Sequence, residues 1–440
     1  MSPSPLWRAL GANQPVFIVD DGSGSGPTMN DHRITSISIE AGTTMAGLST
    51  AGATVEVTGY QGYLQPEDTT TFEIRLTNYG ASLLASLTGK SAGAIQPRFR
   101  GRATAHDITD TGDGNRTMKM RTTLTAQDWP SFISQLDKGA MATRDDPNLW
   151  RLYRSLFTRA GIPGMYSLEA WGTRWHWVRF TSAEDNLNSK LISTSDVLSR
   201  YLEDVGNFIR QDRNGYPKAW SHDHLQAIAD DWRDFTPDPL QRAQVLSPVT
   251  WRRPATIPKS LYWQQTADVG DQTESGLGYS YTPSGSLVTR SVTLDMLHLW
   301  DIAWEPGASG SGYTDAMRAR FHREKSTDLV LDTVTVDILQ LIRRNRGTDR
   351  AVAGHVLNLN HGDPITLGYD WPSEVRGVAF AQKVNHKIAR DEWTVSLDLV
   401  PAHHVTGAAK PTDLAGRTWD TAYPQPTQWE TPSTSWEASP

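Results

Sequence analysis

The chain has 440 residues, no cysteine and a formal net charge of −7. That excludes disulfides, thiolate metal sites and cysteine nucleophiles, and argues against a protein that grips nucleic acid through clustered positive charge. With 38 % hydrophobic and 21 % charged residues, it has the composition of a soluble protein with real cores, and at roughly 150 residues per domain it is long enough for two to four.

The first twenty residues lack the basic start and apolar stretch of a signal peptide, and no apolar run approaches the ~18 residues of a membrane span, so assembly in the cytoplasm is expected. Residues 1–30 are rich in Pro, Gly and Ser around Val16-Phe17-Ile18-Val19. Gly22-Ser23-Gly24-Ser25-Gly26 has neither the lysine nor the following helix of a phosphate loop, and reads as a turn. Strands follow. Ile34, Ser36 and Ser38 alternate with Thr35, Ile37 and Ile39; Thr54–Thr58 is a second run; Phe72, Ile74 and Leu76 alternate with Glu73, Arg75 and Thr77. Arg100–Ile108 and Thr117–Ala126 flank a turn rich in Asp, Gly and Asn, the chemistry of a hairpin.

The middle of the chain is mixed. Leu149, Leu152, Tyr153, Leu156, Phe157 and Ala160 have helical spacing, with Gly161 and Pro163 as stop signals. Trp171, Trp175 and Trp177 fall in a strand ending at Phe180. A second helix is expected from about Ser195, carrying Val197, Leu198, Tyr201, Leu202, Val205, Phe208 and Ile209 on one side. Asn214-Gly215 then turns the chain into a strand over Tyr216–Trp220. From Asp234 to Gly312 the sequence is rich in Pro, Gly, Ser and Trp, with strands near Ser260–Gln264 and Val288–Leu294. Leu329–Leu339 opens a second β-region, and the basic run Arg343-Arg344-Asn345-Arg346 reads as a solvated loop or a surface for an acidic partner.

The clearest element lies between Gly362 and Pro401. Val378, Phe380, Val384, His386 and Ile388 share one face of a strand; Trp393, Val395, Leu397 and Leu399 share one face of the next. The short connection Ala389-Arg390-Asp391-Glu392 predicts an antiparallel hairpin, and Pro401 ends it. Residues 406–440 hold five prolines, many Ser and Thr, and Trp419, Trp429 and Trp436. Such a segment cannot bury a core of its own, and its tryptophans suit anchoring on a partner.

Gly362-Asp-Pro, the strand ending Val-Asn-His-Lys-Ile and the strand Trp-Thr-Val-Ser-Leu-Asp-Leu-Val-Pro together resemble the C-terminal barrel of phage tail hub proteins, the baseplate-hub or minor tail proteins of long-tailed phages, most closely those infecting actinobacteria. Arg100–Ala126 and Arg376–Pro401 also share a weak repeat: each opens Arg-Gly, turns, and returns through an alternating strand. The resemblance implies a β-rich α+β, multidomain fold, with two tube-like antiparallel β-barrels flanking a small mixed α/β region. The expected division is an N-terminal barrel at 1–130, mixed inserted domains at 131–233, a β- and loop-rich connection at 234–319, a C-terminal barrel at 320–405 and the tail at 406–440. It implies a homotrimeric ring at the distal end of the tail tube, bound to the tube or distal tail protein, the tape measure protein and tip or fibre proteins, with DNA passing through unbound.

Two other functions compete. His106-x-x-x-Asp110 and His222-Asp223-His224 match, as bare patterns, signatures of lysostaphin-like zinc endopeptidases, so His106, Asp110 and His224 are the candidate metal ligands. The glycine-rich context of those motifs is missing. A cell-wall glycan or receptor binder would instead stack sugars on Trp171, Trp175 and Trp177. Glu67-Asp68, Asp145-Asp146, Asp230-Asp231 and Asp391-Glu392 sit in polar stretches, and His403-His404 point to opposite faces of a strand. No motif compels catalysis, and no cofactor is expected.

Overall fold

A computed structural model describes residues 12–21, 29–30, 33–42, 47–59, 71–91, 99–110, 120–133, 167–169, 202, 208–212, 215–220, 224–225, 227–229, 238–252, 257–266, 273–280, 289–295, 330–373, 375–402 and 405. In chain order the first elements are β1 (Phe17–Asp20), β2 (Met29–Asn30), β3 (Ile34–Gly42), β4 (Gly47–Leu48), β5 (Thr50–Thr58), β6 (Thr71–Leu76), α1 (Asn78–Thr88), β7 (Phe99–Asp110), β8 (Met120–Gln127) and α2 (Trp129–Ile133). The middle gives β9 (Ser167–Glu169), β10 (Phe208–Gln211), β11 (Pro217–Trp220), β12 (Trp251–Arg252), β13 (Ile257–Thr266), β14 (Thr273–Ser280) and β15 (Thr289–Asp295). The last part holds β16 (Val330–Leu331), β17 (Val334–Asp337), α3 (Ile338–Arg343), α4 (Gly347–Asn358), β18 (Pro364–Leu367), β19 (Gly377–Ala389) and β20 (Glu392–Pro401).

The first and the last described strands belong to one sheet. Its strand order is β17-β20-β19-β3-β5-β8-β7-β6-β1-β2, with β18 on β19, and every pairing in it is antiparallel. The seam between the two ends is β3 against β19, in register from Ser36↔Ala389 to Gly42↔Lys383. The β7–β8 and β19–β20 hairpins flank the β3–β5 pair on opposite sides. The two regions expected to form separate barrels thus share a sheet, and among the described residues neither closes on itself.

The sheet is curled. Phe17 and Trp393 lie on β1 and β20, with β19, β3, β5, β8, β7 and β6 between them in the strand order. Seven strand spacings laid flat would cover about 34 Å, yet the two rings meet edge to face at 5.6 Å. Around this contact, one core collects inward residues from β1, β3, β5 to β8 and β17 to β20, together with Ala81 and Leu84 of α1, Leu341 and Ile342 of α3, and Val352 and Val356 of α4. The helices start at sheet ends. Thr77 caps α1 by accepting from Gly80 N at 2.9 Å, and Asp337 caps α3 by accepting from Gln340 N at 2.9 Å.

The hairpin expected at 377–401 is present, with Ala389 opposite Glu392 and Asp391 in the left-handed region at φ 55°. Trp393, Val395, Leu397 and Leu399 are buried as expected, and Trp393 Nε1 donates to His386 Nδ1 at 3.3 Å. One expectation for β19 is overturned. The register slips between Ala381 and Lys383, so Gln382 is an extra residue and the faces exchange at that point. Ala379 and Ala381 join Val384 and Ile388 in the main core, whereas Phe380 points the other way into a second cluster with Phe208, Trp220, Leu225, Val400 and Val405. A similar slip between Ile34 and Ser36 brings both Ile34 and Ile37 inward.

Phe208 and Ile209, expected on a helix, form β10 instead. It pairs antiparallel with β11 through a turn at Gly215, φ 83°. Helices α1 and α4 had no counterpart in the periodicity reading. The helix expected at 149–160 and the strand with Trp171, Trp175 and Trp177 lie outside the described residues, as does the tail. Among the described residues no helix is long and apolar enough to cross a membrane.

The bulge at Gln382 is directly testable. Gln382→Ala keeps the extra residue and is expected to change stability by no more than ~0.5 kcal/mol. Deleting Gln382 restores strict alternation and removes Phe380 from its pocket, with an expected loss of about 3 kcal/mol or more in urea unfolding.

Candidate functional site: the junction built on β10

Four consecutive buried residues of β10 send side chains or backbone to different parts of the molecule. Phe208 packs at a tilt against Trp220, ring centroids 5.4 Å apart, and fills the second cluster beside Phe380 and Val400. Ile209 O accepts from Ser49 N at 2.8 Å, which fixes β10 alongside β4. Arg210 turns toward the C-terminal region and Gln211 toward the N-terminal one.

The Arg210 guanidinium donates through Nη1 to His361 O and through Nη2 to Asp363 Oδ1 at 2.7 Å, and it lies 3.9 Å from the Trp220 ring centroid. Its side chain is only 4 % exposed, against 22 % for Asp363. A planar cation that bonds a carboxylate and stacks on indole suits such a site, because guanidinium is weakly hydrated and carries its donors in a fixed fork. Asp363 also accepts from Asn360 N at 2.8 Å, and Ala381 N donates to Asp363 O at 2.9 Å, which ties the loop to β19 beside the bulge. Gly362 between them has φ 87°, and a Cβ there would stand 2.8 Å from the Phe208 ring. Any side chain at 362 would therefore push β10 away.

On the other side, Gln211 Oε1 accepts from Trp129 N at 2.9 Å while its Nε2 donates to Arg100 O. The neighbouring Asp128 is fully buried and accepts from Ser131 N at 3.1 Å as the start of α2. Burial pushes its carboxyl up to about 7, against the opposing pull of its hydrogen bonds with Ser131. His361 goes the other way, down to about 3, first because it is buried and then because Arg210 is beside it, with Asp363 opposing. His355 on α4 is lowered to about 4 by burial and by Lys90, with Asp363 and Asp238 opposing. Both imidazoles are neutral at ordinary pH.

A cleft of about 530 Å³, part of it open to solvent, lies against this junction. Its apolar lining includes Ile39, Phe99, Leu357 and Val384, with Gln211 and His361 among the polar groups. The charged groups of the junction are engaged in ion pairing, stacking and capping. The arrangement locks three segments of the chain together.

The zinc candidates are not brought together. His106 and Asp110 are four positions apart on β7, opposite Leu124 and Met120, a separation of about 13 Å that one tetrahedral ion cannot bridge. His224 packs edge-on against Trp220 of the second cluster at 5.2 Å. His222, Trp419, Trp429 and Trp436 lie outside the described residues. Sequence reasoning missed Arg210, His361, Asp363, Gln211 and Asp128; Gly362-Asp363 was noticed only as the start of a strand.

Two outcomes follow from the junction. Arg210→Ala removes a buried cation from Asp363, His361 O and the Trp220 ring and leaves the half-buried Asp363 without its cation; the expected loss is about 2–3 kcal/mol in urea unfolding. Arg210→Lys, unable to bond His361 O and Asp363 while stacking on Trp220, should fall between it and wild type. For Asp128, the folded chain holds a proton that the unfolded chain, with its carboxyl near 3.8, releases. Between about pH 4 and pH 7 the folded state therefore binds more protons, and this group's contribution to stability falls as pH rises through that window. Asp128→Asn should remove that decline, seen as a stability gain over wild type that is larger at pH 8 than at pH 5.

No protein-family model matches the chain, and the comparison with curated proteins gives no match. Solved structures do. The chain is similar to the 43 kDa tail protein of prophage MuSo2 from Shewanella oneidensis, with 8 % identity and a TM-score of 0.54 over 89 % of this chain and 99 % of that one. It is likewise similar to the tail protein from Neisseria meningitidis MC58, with 10 % identity and a TM-score of 0.55 over 89 % of this chain and 98 % of that one. At these identities what is shared is the fold, and it is shared over nearly the whole length of both tail proteins.

Proposed function

We propose that this chain is a structural protein of a phage virion: a trimeric hub at the distal end of the tail tube, joining the tube or distal tail ring to the tip and forming part of the channel for the genome. The observation that carries this reading is the fold shared end to end with two tail proteins. The architecture supports it. A curled sheet with its core on one side and two ends of the chain locked into it is a stiff wall element. The two hairpins set either side of β3 and β5 would let each chain present two similar units, so that three chains match a sixfold tube.

The same reading gives the partners: two further copies of the chain, the tube or distal tail protein, the tape measure protein, and tip or fibre proteins. DNA passes without specific binding, as a net charge of −7 favours. The protein is assembled in the host cytoplasm and resides at the tail tip, with no catalytic step of its own. Trp419, Trp429 and Trp436 would anchor the tail on a neighbour, and the hairpin motif most closely resembles hubs of phages that infect actinobacteria.

Native mass spectrometry and negative-stain imaging of one sample test this. A three-chain species seen as a ring with a central hole is expected. A chain that stays monomeric alone and also fails to add to purified tail-tube ends would overturn it.

A further inference from the structure

The cleft beside β10 has a floor of paired strands. Val384 of β19 lies opposite Ala41 of β3, Ala41 lies opposite Ala51 of β5, and all three line the cleft. His386 and Ile39, paired next along the same strands, line it as well. Ile37, Ile39, Val55 and Val57 fill the core further along β3 and β5. The half-buried Ala41 and Ala51 present only methyl groups, which leaves the space open. Phe99 of β7, with Leu357 and Leu359 at the end of α4, adds apolar walls.

One polar atom here is unanswered. His361 is 3 % exposed and lines the cleft, and its Nε2 is buried with no hydrogen-bond partner. The other polar side chains of the lining are engaged. Gln211 bonds Trp129 N and Arg100 O, and Asp212 Oδ1 accepts from Tyr216 N at 2.9 Å. Asn360 Nδ2 donates to Asp363 Oδ2 at 3.1 Å, and His386 Nδ1 accepts from Trp393 Nε1. A buried nitrogen without a partner is unfavourable, and a group that bonds it recovers that loss.

The chemistry of an occupant follows from these groups. Apolar walls penalise a bare charge of either sign, and the one cation at the junction, Arg210, is committed to Asp363. Burial, then the nearby Arg210, hold the His361 ring uncharged, with its pKa at about 3. A neutral imidazole has one N–H and one bare nitrogen. A hydroxyl both donates and accepts, so it answers Nε2 in either tautomer. The apolar walls, an aromatic ring among them, suit a flat apolar body, and about 530 Å³ is within the range of small-molecule sites.

We infer that this cleft binds a small, neutral aromatic molecule bearing a hydroxyl, a phenol, with the ring among the apolar walls and the hydroxyl bonded to His361 Nε2. Such an occupant touches β3, β5, β7, β10 and β19 at once, so its binding stabilises the seam. The inference does not depend on the hub reading.

Calorimetric titration of the full chain at neutral pH with phenol, toluene and benzoate tests it. Phenol should bind saturably and roughly three- to tenfold more tightly than toluene, the difference one hydrogen bond makes. Benzoate, which brings a charge, should bind more weakly than phenol. His361→Leu removes the ring nitrogen and keeps the backbone oxygen that Arg210 bonds; it should abolish the preference for phenol while toluene still binds. Ala41→Phe should fill the cleft and abolish binding of both. A crystal structure of the wild-type chain with phenol needs no variant, and should place the hydroxyl within hydrogen-bond distance of His361 Nε2. The inference is overturned by the absence of saturable phenol binding, by benzoate binding as tightly as phenol, or by a folded His361→Leu chain that keeps the preference. Binding that survives in folded Ala41→Phe, or a phenol ring found elsewhere in the crystal, would overturn it equally.

Discussion

The edge-to-face contact of Phe17 with Trp393 is the constraint on which the rest of the molecule depends. One ring comes from the first strand of the chain and the other from the last, and they meet only because the sheet between them curls. Once it curls, its concave side must be filled, and α1, α3 and α4 fill it with Leu84, Leu341 and Val356. Bulges help the curl. The extra residue at Gln382 increases local twist and frees Phe380 to face outward, where it finds Phe208 and Trp220.

Closing such distant pairings is entropically unfavourable, and the unfavourable term grows slowly with the length of chain enclosed. The β3–β19 seam brings the far ends of the chain together, so it needs reinforcement that local hairpins do not. Strand β10, from the middle of the sequence, supplies it: Arg210 bonds the loop before β18, and Gln211 bonds β7 and the start of α2. The buried pair is not there for net stability alone, since an apolar replacement of equal shape would do as well. Its directional bonds set where the middle segment enters, and Gly362 leaves room for that entry. Arg210, Asp363 and Asp128 are thus engaged in bonds that hold segments of the chain together.

Much of this was legible in the residues, and the limits are physical. The β19–β20 hairpin could be read because Trp393 to Leu399 alternate strictly and Arg390-Asp391 make a short turn. Strands β5 and β6 were visible for the same reason. The bulge was not, since Val378 and Phe380 have the same parity as Val384 and Ile388 and nothing in the side chains marks the slip. Phe208 and Ile209 fit helical spacing with Leu202 and Val205, and only the β4 and β11 partners make them a strand. Helix α4 escaped notice because Gly347, Gly354, His355 and Asn358 blur its apolar stripe. The pairing of β3 with β19 and the bonds of Arg210 join residues far apart in the chain, which periodicity does not encode. The His106 and Asp110 pattern illustrates the reverse error: a spacing suggestive on paper becomes about 13 Å on a strand.

That both ends of the chain form one cooperative sheet is the claim everything else rests on, and native-state hydrogen exchange addresses it most directly. Amides of β3 and β5 should exchange with the same opening free energy as those of β19 and β20, and Arg210→Ala should lower both sets together. Two separate opening free energies, with only the C-terminal strands responding to Arg210→Ala, would contradict the account.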